Sequence, residues 1–359
     1  MAGGNISTVL TERLGCKAPI IQTAMGWVAE PSLVIGSVEA GAFGFLGAAV
    51  MTPDEARAKI LEVRNGTDKP FGVNFHMFQP GAEQIVDLIL ANKEQIRAVS
   101  FGRGPDTKMI GRFKDAGILC IPTVGAVKHA QKMEQLGCDM VTVQGGEGGG
   151  HTGSVPSTIL LPQVLDTVKI PVVAAGGFAD GRGLAAALSY GAVGIAMGTR
   201  FLMTQESPVH ANAKAGYLKA GTDQIIVTTK LDGIPQRMIR TPLMDRIEKS
   251  GPLSKWLRAF EAGMIMKRQT GASFADLIAA AKAMSGHGEQ PLQQALMAAT
   301  MPTLIQKAVV HGDTENGVMA TGIVGGRINE IPTCRELVDR TIAEALARMD
   351  AVAALRPQA

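Results

Sequence analysis

Val141-Thr-Val-Gln-Gly-Gly-Glu-Gly-Gly-Gly-His-Thr-Gly153 decides how the rest of this chain is read. An apolar run stops at Gln144, and six of the next nine residues are glycine, with one histidine, His151, among them. Glycines this dense belong where a backbone turns sharply and approaches a neighbour closely, because no Cβ obstructs it and positive φ costs little. Successive free N–H groups in such a loop can surround an anion. An imidazole in the same loop can carry out proton chemistry beside whatever the backbone holds. A flexible linker is the plainer alternative, but linkers of that kind are usually serine-rich and do not follow directly on a buried strand.

Seven further apolar runs resemble the one that ends at Gln144. In order, the eight cover residues 19–23, 44–49, 71–75, 98–101, 118–124, 140–144, 172–175 and 193–197. They are continuous rather than alternating, which marks strands buried on both faces of a parallel sheet. Helical patterns separate them at 31–40, 53–63, 81–91, 106–116, 126–136, 160–168 and 180–190. Thr52-Pro-Asp-Glu55 supplies a helix N-cap, and Gly41, Gly117, Gly137 and Gly191 stand where C-terminal caps are needed. Eight such units predict an α/β fold, a (β/α)8 TIM barrel, with an open doubly wound sheet as the alternative.

The period breaks after Thr199. Helical patterns at 209–220, 253–268, 274–285 and 291–308 surround a strand-like segment at 225–240. This predicts a mostly helical cap over residues 205–330, inserted after the eighth strand, with the barrel built from 1–204 and 331–359. The last helical pattern, 333–349, supplies the eighth helix.

Composition narrows the functions. Net charge is only +3 and aromatic residues are 4%, which argues against a nucleic-acid surface. Cys16, Cys120, Cys138 and Cys334 lie far apart without a CxxC pair, so reduced thiols in a cytoplasmic protein are expected and a metal site is not. No signal peptide or membrane-spanning run is evident.

Barrel active sites sit at the C-terminal ends of the strands. Those ends here offer Ala24, Met25 and Gly26, then Asn74, then Gln144 with Gly149, Gly150 and His151, then Gly177, and finally Ala196, Met197, Gly198 and Thr199. Small residues after the seventh and eighth strands suit a phosphate bound by loop amides. No lysine or paired carboxylates stand at the strand ends beyond Glu147. That weighs against, without removing, a non-redox barrel lyase or isomerase acting on a phosphorylated ligand. Glu147 and Asp180 read as loop and cap residues, Arg200 equally as a structural partner of an acid or as catalytic, and His76 and His129 as surface or satisfied histidines.

Gln144-x4-Gly149-Gly150-His151, Ala174-Ala-Gly-Gly177 and Met197-Gly-Thr-Arg-Phe201 together resemble the nitronate monooxygenase (2-nitropropane dioxygenase) family. The pattern is shared with flavin-dependent enoyl-acyl-carrier-protein reductases. It extends from Ile20-Ile-Gln-Thr-Ala-Met-Gly26 to Gly322-x3-Gly326. The resemblance implies an FMN-binding barrel, with the flavin ring against Ala24–Gly26, Asn74 and Gln144, and its phosphate on amides of Gly149, Gly150, Gly177, Gly198 and Thr199. It implies His151 as the active-site histidine, acting as acid or base on a small or acyl carbanion-like substrate. The segment Val227-Thr-Thr-x2-Asp232-Gly-x-Pro235-x-Arg237-x2-Arg240-Thr is closer to the branch that acts on coenzyme A thioesters in steroid-ring breakdown. Ile323 after Gly322, where many relatives carry glutamine, weakens the small-nitronate reading. The second flavin partner, O2 or NAD(P)H, stays open, as do the roles of Arg237 and Arg240 and the assembly, with a homodimer among the options.

Overall fold

The eight apolar segments become nine strands of one sheet in the computed structural model, which describes residues 5–77, 79–102, 106–249 and 292–356. The first six strands are β1 (Ile20–Gln22), β2 (Phe43–Gly47), β3 (Phe71–Phe75), β4 (Ile96–Phe101), β5 (Leu119–Cys120) and β6 (Thr123–Val124). Then follow β7 (Val141–Gln144), β8 (Gly150–His151), β9 (Val172–Ala175), β10 (Gly194–Met197), β11 (Ile225–Thr228) and β12 (Gln236–Ile239). The large sheet has the order β5-β4-β3-β2-β1-β10-β9-β7-β6, and every pairing in it is parallel.

The run at 118–124, read as one strand, is split in two. Pro122 has no N–H for a ladder, so pairing breaks around Ile121-Pro122. The halves face different neighbours. Ile121 N–H donates to Val99 O at 2.8 Å on the β4 side, and Thr142 N–H donates to Pro122 O at 2.9 Å on the β7 side. The first and last strands of the sheet order are therefore two residues apart in the chain, and the sheet curls to bring them there.

Strand parity divides the core. Ile21, Phe43, Phe45, Ala98, Ile121, Val173, Ala175 and Ala196 form one buried cluster on the inner face of the curled sheet. Their alternates, among them Ile20, Leu46, Val73, Val99, Val143, Ala174 and Met197, pack outward against the helices. Side chains alternate across a strand, so this division follows directly from the sequence positions. Helix Val9–Leu14 adds Leu10 and Leu14, both fully buried, to the inner cluster. Each such leucine contributes about 2 kcal/mol of transfer free energy.

Helices Pro31–Glu39, Pro53–Gly66, Ala82–Ala91, Thr107–Asp115, Val127–Gln135, Ser157–Leu165 and Gly181–Tyr190 follow the predicted series, the sixth lying three residues before the pattern at 160–168. Thr52 and Glu55 form the reciprocal cap of the second of these. Gly41, Gly117, Gly137 and Gly191 have φ of 96°, 76°, 82° and 101°, the left-handed conformation that ends a helix at little cost in glycine alone. The terminal helix Cys334–Ala353 packs on helix Gly181–Tyr190, so closely that a Cβ on Gly181 would lie 2.4 Å from Ala345 N.

Within 205–330, helices Ala211–Lys219 and Leu292–Val309 match predicted ones, while the predicted helices at 253–268 and 274–285 lie outside the described residues. The strand-like segment becomes the antiparallel pair β11–β12, and β12 also pairs with β8. Among the described residues no helix is long and apolar enough to cross a membrane.

Candidate active site

Parity places three polar side chains on the inner wall at the C-terminal rim. Asn74, Ser100 and Gln144 each lie one residue beyond an outward-packed neighbour, Val73, Val99 or Val143, and so face inward. Asn74 Nδ2 donates to Ser100 O at 3.1 Å, and Gln144 Nε2 donates to His151 O at 3.1 Å. Ala196 and Gly198 share the inner face. Met197 does not: its side chain packs outward with the helices at 1% exposure, leaving only its backbone at the rim. That backbone carbonyl already accepts from Thr23 N–H at 3.2 Å.

The Ala24-Met25-Gly26 corner leads into Trp27, whose φ of 59° is the one positive value outside glycine among the described residues. A left-handed tryptophan costs about 1–2 kcal/mol. The turn that imposes it is fixed by Val28 and Ala29 N–H groups donating to Met25 O at 3.2 and 2.9 Å. Met25 O also lies 2.9 Å from where a Cβ on Gly47 would stand, so the corner rests directly on the end of β2.

The glycine loop is held from several sides. Gly145 N–H donates to Ala175 O at 2.9 Å, and Gly146 N–H donates to Val155 O at 2.6 Å. The Glu147 carboxylate accepts from Ser157 N–H at 2.9 Å and Ser157 Oγ at 2.8 Å, so it satisfies the start of helix Ser157–Leu165, as a loop residue would. The Arg237 guanidinium donates to Gly148 O at 2.8 Å and also to Gly146 O. Burial pushes the Arg237 guanidinium down from its ordinary range, while the nearby Glu147 charge pulls it up. Gly149 needs its missing side chain for a reason internal to the protein: a Cβ there would stand 2.5 Å from Thr321 C and 2.6 Å from Gly322 N. Gly150 has φ of 62° with open space around it.

His151 is the end of this arrangement. Its backbone registers with Gln236 across the β8–β12 pair. Its Nε2 lies 2.8 Å from Asp232 Oδ2. Asp232 is buried, and its carboxylate also accepts from Gln236 Nε2 at 2.6 Å and Ile234 N–H at 3.0 Å. Burial acts to raise the Asp232 carboxyl, but those hydrogen bonds from His151, Gln236 and Ile234 outweigh it and hold the group below its ordinary value. The histidine side chain itself stays 52% exposed.

The rim also presents backbone donors. Gly176 and Gly177 have φ of 91° and 84°. The amides of Gly177, Gly198 and Thr199 donate to no carbonyl or side chain among the described residues. A Cβ on Gly198 would stand 3.0 Å from Thr23 Oγ1 and 3.4 Å from Met25 Sδ, so this corner has no room to spare. Thr199 Oγ1 is already used, accepting from Gly322 N–H at 2.9 Å. Free amides at two adjacent strand ends, with inward-facing amide side chains next to them, fit a ligand with an anionic tail and a polar ring.

Of the residues singled out from sequence, Asn74, Gln144, Gly177, Ala196, Gly198 and Thr199 gather at one rim of the sheet, and the Gly149–His151 segment follows directly from it. Arg240 is elsewhere in role, paired with Asp245 at 2.6 Å on the surface. Arg200 is buried beside Glu330 at 3.6 Å, and burial lowers it to about 10, as befits a structural group. Asp232 and Gln236 were missed as site residues. The signal was the Asp232-Gly233 turn: Gly233 has φ of 86°, and the turn brings β11 back as β12 beside β8.

A parallel α/β sheet with a histidine–glycine loop and free amides at its C-terminal rim defines a site for an anionic ligand beside a histidine. A model of the nitronate monooxygenase family matches residues 7–93 and 78–344, and the chain belongs to that family of flavin-dependent oxidoreductases. It is 46% identical over 351 residues, covering 98% of this chain and 99% of the relative, to (3aS,4S,5R,7aS)-5-hydroxy-7a-methyl-1-oxo-octahydro-1H-indene-4-carboxyl-CoA dehydrogenase of Rhodococcus jostii (strain RHA1). Against a probable nitronate monooxygenase of Staphylococcus saprophyticus the identity is 32%, covering 68% of this chain and 81% of the relative. The structure of FabK from Thermotoga maritima superposes with a TM-score of 0.80 at 32% identity, covering 98% of this chain and all of that one.

Proposed function

We propose that this protein is an FMN-dependent dehydrogenase of an acyl-CoA thioester, acting on a bicyclic steroid-ring fragment, with His151 as its acid–base residue. The observation that carries the substrate class is the end-to-end 46% identity to a carboxyl-CoA dehydrogenase, against 32% over two thirds of the chain for a nitronate monooxygenase. The reading includes a closed (β/α)8 barrel formed by 1–204 and 331–359, capped by 205–330. The junction of β5 and β6 at opposite ends of the sheet order supports closure.

In this reading the amides of Gly177, Gly198 and Thr199, with Gly149 and Gly150, hold the FMN phosphate. Ala24, Met25, Gly26, Asn74 and Gln144 would border the ring, with Ala196 and the Met197 backbone beside them. Bound there, the flavin supplies the electron-pair acceptor. Asn74 and Gln144 orient the ring through their amide groups. His151 accepts the proton from the carbon next to the thioester carbonyl, where the negative charge that develops is delocalised onto oxygen. Its half-exposed ring leaves an approach for a large substrate.

Anaerobic mixing of the yellow holoprotein with bicyclic acyl-CoA esters, nitronates, NADH and NADPH tests the assignment. Bleaching of the flavin band by the acyl-CoA ester is the expected result. Bleaching by nitronates alone would return the protein to the activity for which its family is named. Bleaching by NAD(P)H followed by reoxidation with an enoyl thioester would make it a reductase. His151→Ala should retain flavin and lose most of the reduction rate; unchanged kinetics would remove His151 from the chemistry.

A further inference from the structure

We propose that Asp232 is the positioning residue of His151: it fixes the imidazole as the Nε2–H tautomer and leaves Nδ1 as the atom that takes and returns the proton. This rests on the acid–base reading of His151 given above. The argument begins with the carboxylate. Asp232 is 5% exposed and accepts three hydrogen bonds, with Ile234 N–H on Oδ1 and both Gln236 Nε2 and His151 Nε2 on Oδ2. A buried carboxylate so surrounded only accepts, so the histidine nitrogen 2.8 Å away must carry the hydrogen. A neutral imidazole has one N–H, and its lone pair is then on Nδ1. Nδ1 has no hydrogen-bond partner among the described residues, and the side chain is 52% exposed.

Both members of the pair are placed by one strand contact. Gln236 registers with His151 across β12 and β8, and the same Gln236 side chain holds Asp232. The dyad thus joins the glycine loop to the 225–239 segment. When a substrate C–H bond breaks, its proton bonds to Nδ1 and its electron pair stays on carbon, delocalised into the thioester carbonyl. The imidazolium so formed keeps its Nε2–H on Asp232, whose negative charge stabilises it without itself taking the proton. A carboxylate that only closed the 232–234 turn would need Oδ1 alone.

That difference defines the test. Asp232→Asn keeps Oδ1 for Ile234 but offers an N–H donor to the histidine, which must turn its Nε2 lone pair toward it and carry the hydrogen on Nδ1. Long-range 1H–15N spectra of 15N-histidine-labelled holoprotein, with His151 assigned by its loss in His151→Gln, should show Nε2–H in the wild type and Nδ1–H in Asp232→Asn. Flavin reduction by the acyl-CoA ester should fall by about 10²- to 10⁴-fold with flavin still bound, and Asp232→Glu should restore part of it. An unchanged tautomer in Asp232→Asn overturns the proposal. A fast Asp232→Asn beside a slow His151→Gln overturns the positioning role alone. A fast His151→Gln overturns the acid–base reading and the proposal with it.

Discussion

Arg237 donates a 2.8 Å hydrogen bond from its guanidinium to the carbonyl oxygen of Gly148, and the same nitrogen reaches Gly146 O. One side chain of β12 therefore fastens the loop that leads from Gln144 to His151. The glycines that let this loop turn also leave it with little side-chain packing of its own, so its shape is imposed from outside.

Replacing Arg237 with Ala removes two charge-assisted hydrogen bonds to carbonyls of a half-buried loop. Global stability should fall by about 1–3 kcal/mol in urea unfolding. Flavin reduction should slow more than flavin affinity changes, because His151 moves with the loop. Arg237→Lys should restore little, since an ammonium lacks the planar fork. Full activity in Arg237→Ala would show that the loop holds its shape unaided.

Gly198→Val introduces a branched side chain where a single Cβ already meets Thr23 Oγ1 at 3.0 Å. Circular dichroism should stay near that of the wild type, while the flavin released by heating falls to a small fraction of one equivalent. Gly198→Ala should give an intermediate content. Full flavin retention in Gly198→Val would place the cofactor cradle elsewhere.

Gly181→Leu tests the seating of the terminal helix. The added atoms would enter space held by Ala345 N, Glu344 Cβ and Thr341 O, all within 2.5 Å of the new Cβ. Overpacking of this kind costs about 1–3 kcal/mol. A lowered melting temperature with normal flavin stoichiometry is expected; an unchanged one would mean the helix shifts freely.

Asp232 also makes a prediction about acid. Its folded-state carboxyl lies below the ordinary value, so it contributes stability that is present above the unfolded-state pKa and is lost as pH falls through the folded one. The melting-temperature gap between wild type and Asp232→Asn should thus be widest near neutrality and close below about pH 4, the ordinary aspartate range. Comparison with the variant cancels the other titrating acids. A gap independent of pH would mean that Asp232 stabilises by shape rather than charge.

How much of this was legible beforehand depends on whether the cause is local. Phe71–Phe75 and Val172–Ala175 were readable as strands because a continuous β-branched or aromatic run suits burial on two faces. Gly117 and Gly137 were readable as helix ends because left-handed backbone is cheap only for glycine. The split at Pro122 followed from a single missing N–H, yet the residue sat inside a run whose hydrophobicity masked it. Met197 shows the limit of reading strand ends without parity: it stands at the rim in sequence, but its side chain belongs to the outer layer.

The sequence by itself determined the parallel strands, their helices, and the placing of His151, Gln144, Asn74 and the rim glycines at strand ends, since each depends on periodicity or backbone freedom within a few residues. Only the tertiary structure decided that Asp232 meets His151 across 81 positions of chain, that Arg237 ties down Gly146 and Gly148, and that Gly149 is bare because Thr321 and Gly322 press against it. Those contacts depend on β12 lying beside β8, a pairing between distant segments that no local pattern encodes.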